Sequence, residues 1–375
     1  MTDKPSWFAK PHDEAPSAPG PAPRDIDELT WEDRFRGAIL GGAVGDVLGA
    51  PVRNRRTADI QQWFAARGVV DYLPVFGRRG AGTDLTQLTA FTLEALLRAK
   101  ALNPDSAGWL PTQVVGTNHL RWLYTQGVPW QYAMSAHLST QPEPQGWLLE
   151  RPELFSTRNP TGAALRGFGE LALAPRGANG EVASPPMGST SVSDPIVWAA
   201  PTMVWNSSED LVFAAGASIA GLLTEDSDVQ GAAGLHCDVL AQLIRGTSLW
   251  DAVSASDNQR LGRAHYTTET PAGVRRMIHA AMFASAGGRR PGPAELDIEF
   301  DTDGKPGELG IALTSVAATD SFASAVRMAV NQSADSCVTG ALAGQLAGAL
   351  HGPDAIPLHW IEELELGDIL ETLCT

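Results

Sequence analysis

Three acidic positions have the setting that metal or acid–base chemistry needs. Asp335 stands immediately before the small-residue run from Ser336 to Leu350, Asp84 follows Thr83 at the start of a second helical pattern, and Asp46 lies between Gly45 and Gly49 near the end of a third. A carboxylate or hydroxyl at a helix start is a hard oxygen donor, and several that converge hold magnesium or polarise a water. A packing reading stands beside this one. Thr83 and Asp84 suit the N-cap and first turn of any helix. Gly340, Gly344 and Gly348 recur every fourth residue, which puts them on one helix face. Each costs a helix about 1 kcal/mol relative to alanine, so the run demands a neighbouring backbone pressed close against it.

The elements that must carry these residues are helical. Thr30 and Asp33 resemble a capping box with Asp in place of Glu, and Phe35, Ile39, Ala43 and Val47 predict a helix over 31–48, stopped by Gly49 and Pro51. Leu88, Phe91 and Ala95 form the core face of the helix that opens at Thr83. Leu211, Ala215, Ile219 and Leu222, then Val239, Leu240 and Leu243, predict two more, with Thr224-Glu225-Asp226 capping the second. Phe322, Val326, Ala329 and Val330 predict a helix leading into Asn331, and 361–373 is an amphipathic tail. Segment 104–210 reads as short helices joined by long loops, among them Pro160-Thr161-Gly162 and Pro185-Pro186-Met187-Gly188. Segment 287–310 reads as a solvated loop or short strand, and its acids Asp297, Glu299, Asp301 and Asp303 lack the spacing of a calcium loop. His119, His137, His236, His265 and His279 stand singly on helical segments, as core or surface residues do.

Composition narrows the class. A chain of 375 residues, 43 % apolar and 19 % charged, can bury a large core. Residues 1–26, with Pro5, Pro11, Pro16, Pro19, Pro21 and Pro23, read as a flexible tail on which only Trp7 and Phe8 offer docking groups. That leaves 27–375 as one large helical domain. The net charge of -16 argues against nucleic acid or an anionic membrane as partner. Three widely separated cysteines, Cys237, Cys337 and Cys374, give neither a disulfide framework nor a zinc spacing. No run of about 20 strongly apolar residues and no secretory signal is present, so a cytoplasmic setting is expected.

The order of motifs resembles the ADP-ribosylglycohydrolase family, the all-helical hydrolases of the dinitrogenase reductase-activating glycohydrolase type. The resemblance is carried by Phe35-Arg36-Gly37-Ala38-Ile39-Leu40-Gly41-Gly42-Ala43-Val44-Gly45-Asp46-Val47-Leu48-Gly49-Ala50-Pro51, by Thr83-Asp84-Leu85-Thr86-Gln87-Leu88-Thr89, by Ala329 to Gly352 and by Ala355-Ile356-Pro357-Leu358-His359-Trp360, with a weaker match at Arg158-Asn159-Pro160-Thr161-Gly162. It implies an all-α fold, a single large orthogonal helical bundle. It also implies two magnesium ions, held by a Thr-Asp-Asp run and a later Asp-x-Asp-Thr run, and cleavage of the bond joining ADP-ribose to a side chain or small acceptor.

Carried over position by position, Thr83, Asp84 and Asp335 match metal ligands, whereas Leu85, Cys337 and Val338 replace expected ones. Arg53 stands where the family has a Glu, Pro195 and Trp198 replace a glycine and an arginine, and Glu225 replaces a histidine. Leucine and valine offer no ligand atom and sulfur is a poor partner for magnesium. The expectation is therefore a degenerate member with no cofactor, or at most a weak or single magnesium. It would bind ADP-ribose, a related nucleotide or an ADP-ribosylated protein through Asp46, Arg53, Thr83, Asp84 and Asp335, the guanidinium of Arg53 offsetting the carboxylates. Two alternatives stay open: an active glycohydrolase that uses Asp84 and Asp335 with one metal or none, and an interaction scaffold.

Overall fold

The computed structural model describes residues 26–102, 108–174, 192–258, 270–300 and 307–375. The expectations for Trp7 and Phe8, for Pro185 to Gly188, for His265 and for Asp301 and Asp303 lie outside these residues. Among the described residues the elements are helices, and the isolated Val75–Arg78 bridge is the one β-type pairing. The chain is all-α.

Its axis is a pair of helices from opposite ends of the sequence, Trp31–Gly49 and Ser336–His351. The glycines of the second meet a matching set on the first. A Cβ added at Gly340 would collide with the carbonyl of Gly45, at Gly344 with that of Gly41 and at Gly348 with that of Gly37, so the helices run antiparallel with their backbones in contact. Dispersion and Cα–H···O contacts at this separation offset the cost of the glycines. The spacing in the last helix predicts such a neighbour; its identity was readable in Gly37, Gly41, Gly45 and Gly49, which carry the same period. Trp31–Gly49 is buried on all sides from Phe35 onward except at Arg36, not on one face alone.

The start of this pair is fixed as the sequence predicts. Thr30 N–H donates to Asp33 Oδ2 at 3.1 Å and Asp33 N–H to Thr30 Oγ1 at 3.1 Å. Buried Arg34 donates to the carbonyls of Ala349 and Leu350 at 3.1 and 3.0 Å, which closes the far end of Ser336–His351. Around the axis pack Asp84–Leu102, Ser227–Leu243, Gly307–Ala317 and Phe322–Val330. Leu88, Phe91 and Ala95 are buried, and Asp226 caps Ser227–Leu243 through Asp228 N–H at 2.9 Å.

Three elements differ from the expectation. Residues 293–299 are not loop or strand but a helix, Pro293–Glu299, and Asp297, half-buried, accepts from Thr57 Oγ1 at 2.6 Å and from Ser333 N–H and Oγ at 2.7 Å each. The alternating acids hide this helix because Asp297 faces a neighbouring turn while Glu299 stays exposed. Segment 104–210 includes one long helix, Thr112–Thr125. The tail breaks into Leu358–Glu362 and Gly367–Cys374.

Candidate functional site

Because the glycine contact sets Gly45 against Gly340, it also brings the end of the first helix to the start of the last. There Asp335 is the N-cap, and its Oδ1 accepts from the backbone N–H groups of Cys337 at 3.0 Å and Val338 at 3.3 Å. Asp46 is fully buried one turn before the end of its helix. It accepts from Thr83 N–H at 2.7 Å, Thr83 Oγ1 at 2.7 Å and Thr86 Oγ1 at 2.6 Å. Both Asp46 oxygens are thus spent on anchoring the start of Asp84–Leu102. The Thr83 hydroxyl, expected as a ligand, is engaged on Asp46 and on Leu85 N–H at 3.3 Å.

Arg53 does what its position implies, and more. A short 3-10 turn, Ala50–Val52, ends the first helix and sends the side chain inward, where it is 3 % exposed. Its Nε donates to Asp335 Oδ2 at 2.9 Å and its Nη1 to Asp84 Oδ1 at 2.9 Å. The same Nη1 donates to the Asn159 carbonyl at 3.2 Å, and Nη2 to Asp194 Oδ1 at 3.5 Å. Three carboxylates from three helix starts therefore surround one guanidinium.

The sequence marks Pro195 and Trp198 as departures from the family pattern but does not single out Asp194 itself. The residue opens the short helix Asp194–Ala199 with Pro195 behind it, and its other oxygen accepts from Thr161 Oγ1 at 3.1 Å. Asp-Pro after a serine is a common helix start, and nothing in that tripeptide tells an acid facing a distant arginine from a capping one. Glu308, at the start of Gly307–Ala317, accepts from Ser193 Oγ at 2.8 Å. The 158–161 loop, a weak motif in sequence, closes one side: the Arg158 carbonyl accepts from Asp84 N–H at 3.2 Å and its guanidinium ion-pairs with Glu365 at 2.5 Å, and Asn159 takes the left-handed conformation at φ 58° that Asn tolerates well.

The electrostatics follow from burial around a single cation. Burial raises Asp46 against its threonine hydrogen bonds, raises Asp84 well above the usual carboxylate range against the pull of Arg53, and pushes Asp194 up to about 6. Burial likewise brings Glu308 to about 7. For Arg53 burial acts in the opposite sense, but the sulfur of Cys337 and the carboxylates of Asp335, Asp194 and Asp84 reverse it, so the guanidinium is held more firmly protonated than free arginine. One Asp84 oxygen, Oδ2, is buried without a partner. Asp335, with 14 % of its side chain exposed, is the most open member of the four.

These residues do not fit a dinuclear magnesium centre. Leu85, Cys337 and Val338 are packed in the core and supply no oxygen. Asp84 Oδ1 and Asp335 Oδ2 already accept from Arg53, and the second Asp335 oxygen accepts from its own helix. Among the described residues no three His, Cys, Asp or Glu side chains are grouped so as to hold a metal ion. No described helix is long and apolar enough to cross a membrane.

Comparison with known proteins agrees with this architecture. Over 48 residues the chain is 50 % identical to an ADP-ribosyl-[dinitrogen reductase] glycohydrolase of Rhodospirillum rubrum, a match covering 13 % of this chain and 16 % of that protein. Over 78 residues it is 37 % identical to an uncharacterized protein of Archaeoglobus fulgidus, covering 20 % and 25 %. The matched stretches thus span a quarter or less of these relatives. A solved structure described as an ADP-ribosylglycohydrolase-related protein complex superimposes with a TM-score of 0.58 at 22 % identity, over 92 % of this chain and 96 % of the other, and shares the fold. The ADP-ribosylglycohydrolase family model matches residues 27–375, and the chain belongs to that family.

Proposed function

We propose that this protein is a catalytically impaired ADP-ribosylglycohydrolase-like binder, which recognises an ADP-ribose-like molecule or an ADP-ribosylated partner without two-magnesium hydrolysis. The observation that carries this reading is the guanidinium of Arg53 lodged among Asp84, Asp194 and Asp335. An arginine offers charge and five fixed N–H donors. It has no vacant coordination position at which a water is activated. Ligand recognition then falls to Asp335 and the outward side of the 158–161 loop, where carboxylate and carbonyl oxygens accept hydrogen bonds from ribose hydroxyls. Arg55 and Arg56, exposed next in sequence, supply positive charge for a pyrophosphate.

Isothermal titration of ADP-ribose with and without magnesium, beside a turnover assay on an ADP-ribosylated peptide, tests the proposal. The expected result is one dissociation constant in both buffers and no turnover. Metal-dependent turnover overturns it. A metal-free glycohydrolase is the second reading, and Glu308 favours it: a half-buried carboxyl pushed to about 7 has the proton affinity of a general acid at neutral pH. Turnover in chelator that is lost in Glu308→Gln, with binding intact, would select that reading.

A further inference from the structure

A second concavity, of about 470 Å³, opens where Thr57–Phe64, the loop after it, Pro293–Glu299 and Phe322–Val330 meet. Neither Arg53 nor its carboxylates line it. Its volume is within the range of small-molecule pockets, roughly 300–1,000 Å³. Ile60, Leu296 and Met328 give it an apolar floor, and Gln61, Arg67 and Arg327 give it polar groups.

The two arginines are poorly neutralised. Arg67 is exposed and, among the described residues, makes no hydrogen bond or ion pair. Arg327 spends Nε on the Val70 carbonyl at 2.8 Å and lies over the Trp360 ring at 5.2 Å, which leaves its terminal nitrogens unbonded among the described residues. The acid that acts on Arg327 is Asp71. That carboxylate is already shared among Trp360 Nε1 at 2.7 Å, Tyr72 N–H at 2.7 Å, Arg79 at 3.6 Å and His359 at 3.4 Å. In a chain of net charge -16, two arginines lining one groove with so little acid between them is an arrangement that an anion completes.

The groove is also pre-formed. The Asn331 side chain accepts from Val69 N–H at 2.7 Å and donates to the carbonyls of Val69 at 3.0 Å and Arg327 at 2.7 Å, which pins the loop to the helix. On the rim, Ala65 has φ 59° and ψ -160°, a conformation that glycine alone adopts without strain. Rigid walls reduce the ordering that a ligand has to impose.

We propose that this groove binds a small organic anion, its phosphate or carboxylate head held by Arg67 and Arg327 and its apolar body laid on Ile60, Leu296 and Met328. The proposal is independent of what the Arg53 site does. Isothermal titration of the full chain with phenyl phosphate, benzoate, inorganic phosphate and benzyl alcohol tests it. Phenyl phosphate or benzoate is expected to bind below about 1 mM, the tighter of the two identifying the preferred head. Inorganic phosphate, which lacks the body, and benzyl alcohol, which lacks the charge, are each expected to bind at least about tenfold more weakly. Arg67→Ala, on an exposed side chain, should weaken the anion about tenfold with an unchanged melting temperature. Met328→Trp, which fills the floor, should abolish binding. Absence of binding by both aromatic anions up to about 10 mM, or an Arg67→Ala constant within about twofold of wild type, overturns the proposal.

Discussion

Replacing Arg53 by alanine removes the one cation that Asp84, Asp194 and Asp335 share. Taking one partner out of a buried ion pair costs about 3–5 kcal/mol, because the other charge stays desolvated without compensation. With three carboxylates left, the upper end applies, about 5 kcal/mol at pH 8. Unfolding entropy of about 2.1 cal/mol/K per residue converts that into a fall of about 6 °C in melting temperature for a chain of this length. The loss must depend on pH, with a definite sign. Asp84 and Asp194 already hold their protons above the usual 3.8 in the folded state, and without Arg53 they rise further. A group raised on folding contributes stability that is present at low pH and is lost as pH climbs through its folded value. The deficit of the variant should therefore be smallest below about pH 3, where carboxyls are protonated in folded and unfolded chains alike, and should grow toward pH 8. Arg53→Lys should lie between, since an ammonium restores charge without the planar fork. Differential scanning fluorimetry at pH 5, 6.5 and 8 reads all of this. Equal melting temperatures at pH 8, or a deficit larger at pH 5 than at pH 8, would refute the reasoning.

Gly340→Ala drives a methyl into the Gly45 carbonyl, and its neighbour is backbone that cannot swing away; overpacking of this kind costs about 3 kcal/mol or more, and a urea midpoint equal to wild type would show that the helices are not in contact. Ala65→Gly should raise the melting temperature, because the backbone strain relieved, about 1–3 kcal/mol, exceeds the extra chain entropy of glycine; a lower melting temperature counts against the strained conformation. Burial holds His119 at about 3 and His236 at about 4, against 6.5 when unfolded. The unfolded chain therefore takes up protons that the folded chain refuses, and each histidine withdraws stability as pH falls from 6.5, about 2 kcal/mol by pH 5. The buried carboxyls act in the opposite direction, so the readout is the slope of unfolding free energy between pH 7 and 5 in wild type minus that in His119→Gln. A difference of zero would mean that His119 is not buried in its neutral form.

How much of this was written in the sequence depends on whether a residue's partner is also near in a pattern. The helix starts at Asp84 and Asp335 carry their own capping chemistry, so their placement was legible, whereas their proximity to Arg53 followed only from the family resemblance. Asp46 was legible as an acid near a helix end but not as an anchor, because its partners Thr83 and Thr86 look like ordinary first-turn residues. Asp194 was invisible for a different reason. It lies 141 positions from Arg53, and only the path of the intervening helices decides that it joins the cluster. Asp297 misled because a string of acids reads as solvated until Thr57 and Ser333 are seen to need an acceptor.

The exchanges that distinguish this chain from its family are linked by charge. Relative to the pattern that the resemblance implies, Arg53 for Glu adds two positive units, and Leu85 and Cys337 for Asp each remove one negative unit. Those three exchanges add four positive units, the charge of two magnesium ions, while Trp198 for Arg removes one positive unit and Glu225 for His adds one negative unit. Any one exchange alone would leave a buried imbalance: Arg53 beside a full ligand set would compete with the metal, and Leu85 or Cys337 alone would weaken a metal site without replacing its cation. As a set they leave Asp84, Asp194 and Asp335 around a cation that the chain itself provides and that cannot dissociate. The Gly45–Gly340 contact sets Asp335 against the end of the first helix, and Asp46 on that helix holds the helix start that carries Asp84 through Thr83 and Thr86. Packing and charge at this site are therefore one constraint. The same glycines that identify the fold bring Asp335 to the end of the helix after which Arg53 stands.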